Sequence, residues 1–263
     1  MTDAVADARR GLRMTLRQLH YELLSFWRNP VGSAFTVGFS VVFLVLLGAS
    51  AGDSRISYLG GIRTITYYVP GFAAYGVMAA CFNTLAVTLV FRREMGLLKR
   101  LRLSPLPAWA VLGSLFCTSV IISALQVLVL VVLGRLAYHV PFPHAPLAFA
   151  VALLVGAVCF TALGVAMSCV IPNQDSAGPV TAIVFFVLLF LAGLWYPLRP
   201  GSALARISAY FPVRHLIVAV FDAFTPQRGA SPWAWHDLLV MAVWGAAGAV
   251  LAVRRFRWEP HRS

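Results

Sequence analysis

The residues of this sequence best suited to contact a partner molecule lie in a basic stretch between two apolar runs, from Arg92 to Pro107. The stretch opens with two arginines and a glutamate, continues with leucines interleaved with cations, and closes on Ser-Pro and Leu-Pro pairs. This spacing predicts a short amphipathic helix with one apolar and one cationic side. Such a helix can dock into a groove on another protein. The alternative is an anchor that touches only lipid headgroups.

Polar and aromatic side chains inside or beside the apolar runs form a second group that could contact a ligand. The polar ones could line a route for a substrate, or they could bond to a neighbouring helix or to their own backbone. The aromatic ones, near the end of the fifth run, could offer an apolar surface to an amphiphilic molecule. The residues assigned to a substrate route are Asn83, Thr84, Ser123, Gln126, Phe190, Trp195 and Tyr196.

Motifs for catalysis or nucleotide binding do not occur in the sequence. It has no GxxxxGK[ST] phosphate loop, no HExxH zinc motif and no GxSxG nucleophile motif. The four cysteines lie in apolar runs without metal-type spacing, and His215 is expected to bond to backbone carbonyls. We therefore expect no catalytic centre, no metal site and no cofactor on this chain, so any ATP must be handled elsewhere.

Composition predicts the setting of these residues. Of 263 residues, 60% are hydrophobic and 11% are charged, and the mean hydropathy is +0.82. A water-soluble domain of this size needs more charged groups on its surface. We expect an all-α integral membrane protein with about six transmembrane helices and a single domain over residues 1–263. The apolar runs are Ser33–Ala51, Tyr68–Phe91, Ala108–Leu133, Leu147–Ile171, Val180–Tyr196 and His236–Val253.

Two further segments are too polar or too broken to span a membrane. Residues 9–29 carry leucines at helical spacing among arginines, which predicts a helix in the membrane interface; a soluble amphipathic helix is the alternative. Residues 197–235 contain a moderately apolar stretch that is interrupted by Pro212 and by charged side chains. We expect a helical hairpin in the outer leaflet there, between the fifth and sixth spans.

The positive charges indicate an orientation. The formal net charge is +12, and fourteen of the 21 Lys and Arg residues lie near the termini or in the connection between the second and third runs. Basic residues concentrate on the cytoplasmic side of membrane proteins. Both termini are therefore expected in the cytoplasm, and nucleic acid is not needed to explain the charge.

Three stretches together resemble the ABC-2 type permeases, the membrane subunits of a class of ATP-binding-cassette exporters. Arg93–Pro107 is similar to their cytoplasmic coupling segment, Phe190–Leu198 to the end of their fifth span, and Ile207–Leu216 to the extracellular hairpin that follows. With the interfacial first helix, the resemblance covers nearly the whole chain and is closest to the drug-resistance branch.

The resemblance implies two permease copies bound to two separate ATPase subunits, which would carry ATP and Mg²⁺. Glu94 and the helix after it would transmit nucleotide-driven motion. The connection Pro172–Pro179 would be a second contact, unless Asp175 or Ser176 simply caps the next helix. The residues assigned to ATPase coupling, within the segment 92–107, are Arg92, Arg93, Glu94, Gly96, Leu97, Leu98, Lys99, Arg100 and Leu101.

From the resemblance we expect a permease subunit that exports a hydrophobic or amphiphilic molecule, such as a drug, an antibiotic or a lipid. Efflux of this kind would give antibiotic resistance. The high Arg and Ala content with little Lys indicates a GC-rich bacterial source, and hence a bacterial cell membrane. A secondary transporter is one alternative, although the predicted spans carry no pair of acidic residues. A non-transporting membrane scaffold is another, and unlike an exporter it has no need of Glu94.

Overall fold

The computed structural model describes residues 2–97, 108–199, 201–225 and 231–255. These residues form helices joined by turns, with one two-stranded antiparallel ribbon. The elements are α1 Thr2–Arg28, α2 Pro30–Ala51, β1 Arg55–Ile56, a 3₁₀ helix Ser57–Leu59, β2 Ile62–Arg63, α3 Thr64–Met78, a π-helical stretch Ala79–Thr84, α4 Leu85–Glu94, α5 Ala108–Tyr138, α6 Pro146–Val170, α7 Gln174–Ala192, α8 Ala203–Ser208, α9 Pro212–Phe224 and α10 Trp235–Arg255.

Five stretches of the described chain are long and apolar enough to cross a membrane, which confirms the predicted all-α membrane protein. The first predicted span lies within α2, whose described apolar part, Val37–Ala51, is shorter. A sixth crossing therefore stays a prediction. The five stretches are Thr64–Glu94, Gly113–Tyr138, Pro146–Val170, Gln174–Ala192 and Trp235–Arg255.

The continuous helix from α3 through the π-helical stretch to α4 is the centre of the bundle. Its apolar part is 72% buried, against 28% for α7 and for α10. Helices α2, α5, α6 and α9 all pack against α3. Large side chains such as Phe72 and Met78 are fully enclosed there. Residues on this helix are therefore held from several sides, while α7 and α10 leave wide faces for lipid or a partner.

Close helix contacts occur at glycines within the chain. A Cβ atom on Gly76 would lie 2.8 Å from Gln126 Cδ, and one on Gly164 would lie 2.8 Å from the carbonyl oxygen of Cys81. Small residues allow this approach, which strengthens packing between helices in lipid. These glycines therefore serve packing between helices of the same chain.

The region after α7 contains two short helices in its described part, α8 and α9. At 13 residues, α9 is shorter than the ~20 residues that cross a bilayer. Its apolar face packs against α3, α6, α7 and α10. It is thus part of the bundle, although its predicted position in the outer leaflet stays a prediction.

Candidate functional site

Helix α1 is joined to α4 by an ion pair. Both terminal nitrogens of Arg92 donate to Glu22, at 2.6 Å to Oε1 and 2.5 Å to Oε2, and Gln18 also donates to Oε1 at 2.9 Å. The Glu22 side chain is 7% exposed and that of Arg92 is 18% exposed. A two-bonded guanidinium–carboxylate pair fixes orientation as well as distance. The pair therefore sets where α1 lies against the end of α4.

The next residue, Arg93, joins α4 to the end of α6. Its side chain is buried and donates to the carbonyl oxygens of Ser168, Ile171 and Pro172 at 3.0, 2.7 and 3.2 Å. The last carbonyls of a helix have no partner within it, and positive charge there is favoured by the helix dipole. Its Nε donates to Glu94 Oε1 at 2.9 Å. Arg93 thus supplies a cap that α6 lacks.

The connection from α6 to α7 completes this end of the bundle. Asn173 caps α7, because its Oδ1 accepts from the backbone N–H of Ser176 at 3.0 Å. The cap is therefore neither Asp175 nor Ser176, the two candidates in the sequence. Ile171 and Ala177 pack with Val90 of α4 in a small apolar cluster. We call the set of Glu22, Arg92, Arg93, Glu94 and residues 168–177 the basic end.

The predicted coupling residues fall into two groups: those up to Glu94 bond within the chain, and those after it do not take part in that bonding through their side chains in the described part. Arg92 bonds to Glu22, and Arg93 bonds to Glu94 and to carbonyls at the end of α6, so all three side chains have partners within the chain. Gly96 has φ +68°, a left-handed conformation that ends α4, and its N–H donates to the Arg93 carbonyl. Of the described residues after Glu94, Met95 and Leu97 present apolar side chains that are 71% and 39% exposed. Leu98, Lys99, Arg100 and Leu101 lie outside the described residues.

A polar cavity of about 260 Å³ lies beside the basic end, between α1, the central helix and α5. Thr84, assigned from sequence to the substrate route, lines it. Glu22 and Arg92 also line it, so the ion pair is part of its wall. The remaining polar lining residues are Ser25, Asn29, Thr88, Thr118 and Ser119.

The other polar residues assigned to the route lie deeper in the bundle. Gln126 is fully buried and donates from Nε2 to Ser40 Oγ at 2.6 Å. Ser123 donates to the Val120 carbonyl of its own helix at 3.0 Å. Asn83 lies in the π-helical stretch, and its Oδ1 is buried without a hydrogen bond to any described residue. Such stretches interrupt regular helix bonding and are frequent at functional sites.

A second cavity, of about 460 Å³, is apolar and lies between α5 and α6. Ser123 is the single polar residue of its described lining. The apolar walls include Leu128 and Leu154, which are 59% and 51% exposed on the outside of the bundle. The cavity is thus a groove that an apolar molecule could enter from the side.

The aromatic residues assigned to the route point in two directions. Trp195 packs inward against Phe43 and Phe72, with ring centroids 5.1 and 6.2 Å apart. Phe190 and Tyr196 pack on each other at 5.8 Å and are 59% and 37% exposed. Trp195 therefore packs against the core, whereas Phe190 lies on the outer face of α7 and Tyr196 packs on it from the turn that follows.

Three tyrosines hold the turn after α7 at the end of the bundle opposite the basic end. The hydroxyls of Tyr58, Tyr67 and Tyr68 donate to the carbonyls of Pro197, Gly193 and Trp195 at 2.6, 2.8 and 3.4 Å. Gly193 has φ +74°, which a residue with a side chain rarely adopts. We call this region the tyrosine end.

His215 joins α9 to the first turn of α10. Its Nδ1 lies 2.6 Å from Asp237 Oδ1 and its Nε2 lies 2.9 Å from the Ala209 carbonyl oxygen. The hydrogen bond with Asp237 raises the pKa of His215 above 6.5. Burial, and then the charge of Asp237, raise the pKa of Asp222 to about 6. The sequence predicted backbone carbonyl partners for His215 but not its contact with Asp237.

An all-α chain with five described apolar helices of spanning length is a multi-pass membrane protein. The model of the family described as ABC-2 type transporter matches residues 17–225, and the chain belongs to this family. It is also 23% identical over 177 residues to a Bacillus subtilis (strain 168) protein named "Putative transport permease YvfS", covering 66% of this chain and 70% of that protein. The chain is thus a transporter membrane subunit, and its family implies pairing with an ABC ATPase.

Proposed function

We propose that this chain is the permease subunit of an exporter, which moves a hydrophobic or amphiphilic molecule outward when a separate cytoplasmic ATPase binds ATP. The ATPase supplies ATP and Mg²⁺ chemistry, and the chain supplies the path. A second permease copy completes that path. Both termini and the basic end then face the cytoplasm of a bacterial cell, as expected from the basic residues.

The observation that carries the proposal is the bonding at the basic end. Arg92 and Arg93 are neighbours on α4, yet one bonds to α1 and the other to the end of α6. Motion applied to the segment after Glu94 therefore acts on three helices together. A ligand shifts a conformational equilibrium only by binding one state better than the other. Because the basic end is rigid, ATP binding to a partner subunit can favour one arrangement of the spans over another.

The exposed residues just after the arginines are the place for ATPase contact. Met95 and Leu97 present apolar side chains beside a cationic segment. An amphipathic helix docks through its apolar side, while its charges set orientation. Because Arg92 and Arg93 are already bonded within the chain, they position this contact and leave direct binding to Met95, Leu97 and the residues that follow.

The two cavities favour an amphiphilic cargo. The polar cavity includes the Glu22–Arg92 pair in its wall, and the apolar groove between α5 and α6 opens to the side of the bundle. An amphiphile suits both linings, because the groove is apolar and the other cavity presents polar as well as apolar side chains. The outer face of α7 is where the second permease copy would pack, through Ile183, Phe186, Val187 and Phe190.

Substitution of Met95 tests the ATPase contact. The chain, carrying a tag, is purified from its own host in mild detergent, and the co-purifying proteins are identified. We expect a P-loop ATPase with the wild-type chain and with Met95→Leu, and little of it with Met95→Glu, because a carboxylate cannot enter an apolar groove without loss of hydration. Equal recovery with all three chains would place the contact elsewhere.

Transport direction is tested in inside-out vesicles from the same host with a fluorescent amphiphilic dye. Outward export appears there as ATP-dependent uptake. We expect uptake with the wild-type chain and Met95→Leu, and a loss with Met95→Glu. Uptake that needs an ion gradient and not ATP would indicate a secondary transporter, and no uptake with an intact ATPase complex would contradict the assigned cargo class.

A further inference from the structure

The two ring nitrogens of His215 both face oxygen acceptors. The carbonyl oxygen of Ala209 can only accept, so Nε2 must carry a hydrogen to bond with it at 2.9 Å. The other nitrogen, Nδ1, then presents a lone pair toward Asp237 Oδ1 at 2.6 Å. A lone pair and an ionised carboxylate repel each other unless a cation lies between them. At 2.6 Å that cation is a proton, and a divalent metal ion that binds both atoms must displace it.

A third donor makes this more than a histidine–aspartate pair. His236 precedes Asp237 in the first turn of α10, and its ring centroid is 5.7 Å from that of His215. One ligand atom from each of the three side chains lies within 4.8 Å of the other two. A shared proton uses two of these groups and has no need of the third. Two imidazoles and a carboxylate are a ligand set that suits zinc.

The surroundings also match those of metal-binding histidines. Such histidines donate their second ring N–H to a carbonyl or carboxylate, which fixes the ring and leaves the other nitrogen free to bind metal. The Ala209 carbonyl does this for His215. His215 is buried while His236 is exposed, so an ion can enter from the side of His236. A fourth coordination position would remain for water.

We propose that His215, His236 and Asp237 bind a divalent transition metal ion of the zinc class. The ion would join the start of α9 to the start of α10, where the structure shows the His215–Asp237 contact. It would thereby stabilise α9 against the last span. This site is independent of the proposed transport function, because its ligands lie on neither cavity of the bundle described above.

Zinc binding by the whole purified chain tests the proposal. The chain carries a tag without histidines, is treated with a chelator in detergent, and is titrated with Zn²⁺ against a chromogenic zinc chelator. Elemental analysis then gives the zinc content. We expect one tightly bound zinc per chain, and a loss of affinity of about ten- to a hundred-fold or more in His236→Ala and in Asp237→Asn. His20→Ala, an exposed histidine on α1, should bind zinc like the wild type.

Thermal unfolding gives a second readout that does not depend on counting zinc. Zinc should raise the melting temperature of the wild-type chain and of His20→Ala, because a ligand that binds the folded state stabilises it. His236→Ala removes an exposed ring, so its metal-free chain should melt like the wild type while its response to zinc is lost. Equal zinc affinity or equal stabilisation in His236→Ala would overturn the proposal and leave a proton alone between His215 and Asp237.

Discussion

The two ends of the helical bundle are held together by different interactions. At the basic end, full charges on Glu22, Arg92 and Arg93 connect α1, α4 and the end of α6. At the tyrosine end, neutral hydroxyls bond to carbonyls of the turn after α7. Hydrogen bonds that involve a charged group are roughly twice as strong as neutral ones. The basic end is therefore the firmer connection between helices.

This difference fits the division of work in the proposed exporter. An ATPase must act on a part of the permease that moves as one unit, and the basic end connects three helices through two neighbouring residues. The tyrosine end, with weaker single bonds to a glycine-containing turn, can change shape at lower cost. Four experiments follow in order of decreasing expected effect. The first three test whether the two ends differ in this way, and the fourth concerns the interior between them.

Arg93→Ala should have the largest effect on stability. It leaves the carbonyls at the end of α6 without their donor and the mostly buried Glu94 without its partner, at a cost of about 3 kcal/mol or more. The melting temperature of the purified chain measures the loss. Arg93→Lys should lose less, because one ammonium keeps the charge at the helix end but not all the bonds. An unchanged melting temperature in Arg93→Ala would contradict the claim that the basic end connects its helices more strongly.

The Glu22–Arg92 pair should show strong coupling in a double-mutant cycle. Glu22→Arg and Arg92→Glu each place like charges together in a mostly buried site, and each should cost about 1–3 kcal/mol. The combined exchange should recover most of this loss, because it restores an opposite pair. Melting temperatures of the four chains give the coupling. Additive losses would mean that the two side chains do not act on each other.

Tyr67→Phe should have a smaller effect at the tyrosine end. It removes a neutral hydrogen bond to the Gly193 carbonyl and keeps the ring, so the loss should be about 1 kcal/mol. Tyr210→Phe is the matched control, since Tyr210 is 77% exposed and should change little. A loss from Tyr67→Phe as large as that from Arg93→Ala would reverse the comparison between the ends.

Gln126→Met should have the smallest effect on stability. The substitution loses the bond to Ser40 but also removes Oε1, which is buried without a partner among the described residues. Replacing a polar group that lacks hydrogen bonds with an apolar group of similar shape is nearly neutral. The free energy of unfolding should therefore change by no more than about 1 kcal/mol. If the chain keeps its melting temperature but loses transport, Gln126 belongs to the substrate route; unchanged transport would make it a packing residue.

Much of the helical architecture follows from the sequence, with boundary errors that have local causes. The prediction of Leu147–Ile171 matches α6 within a residue at each end, because an apolar run ends there at Pro172. Helix α7 begins at Gln174, before the predicted Val180, because the Asn173 side chain caps it there and Pro179 lies inside the helix instead of before it. The helix ends at Ala192 because Gly193 turns the chain.

The bonding of the site could not be predicted in the same way. Arg93 bonds to carbonyls 75–79 residues away, and a backbone carbonyl has no signature in the sequence. Arg92 and Glu22 are 70 residues apart, and opposite charges at that distance could pair with many partners. The sequence predicted a coupling role for the segment, which stays a prediction, but not that its first two residues face inward. His236 and Asp237 were missed because proximity to His215 arises only in the folded bundle.

The most direct test of the account is ATP-driven dye transport by the ATPase complex with the exchanged Glu22–Arg92 pair. If the basic end transmits motion from the ATPase to the spans, Glu22→Arg and Arg92→Glu should each lower transport by about ten-fold or more at an equal amount of complex. The double exchange should restore most of it. Single variants that transport like the wild type, or a folded double variant as poor as either single, would contradict the claim that this ion pair couples the ATPase to the spans.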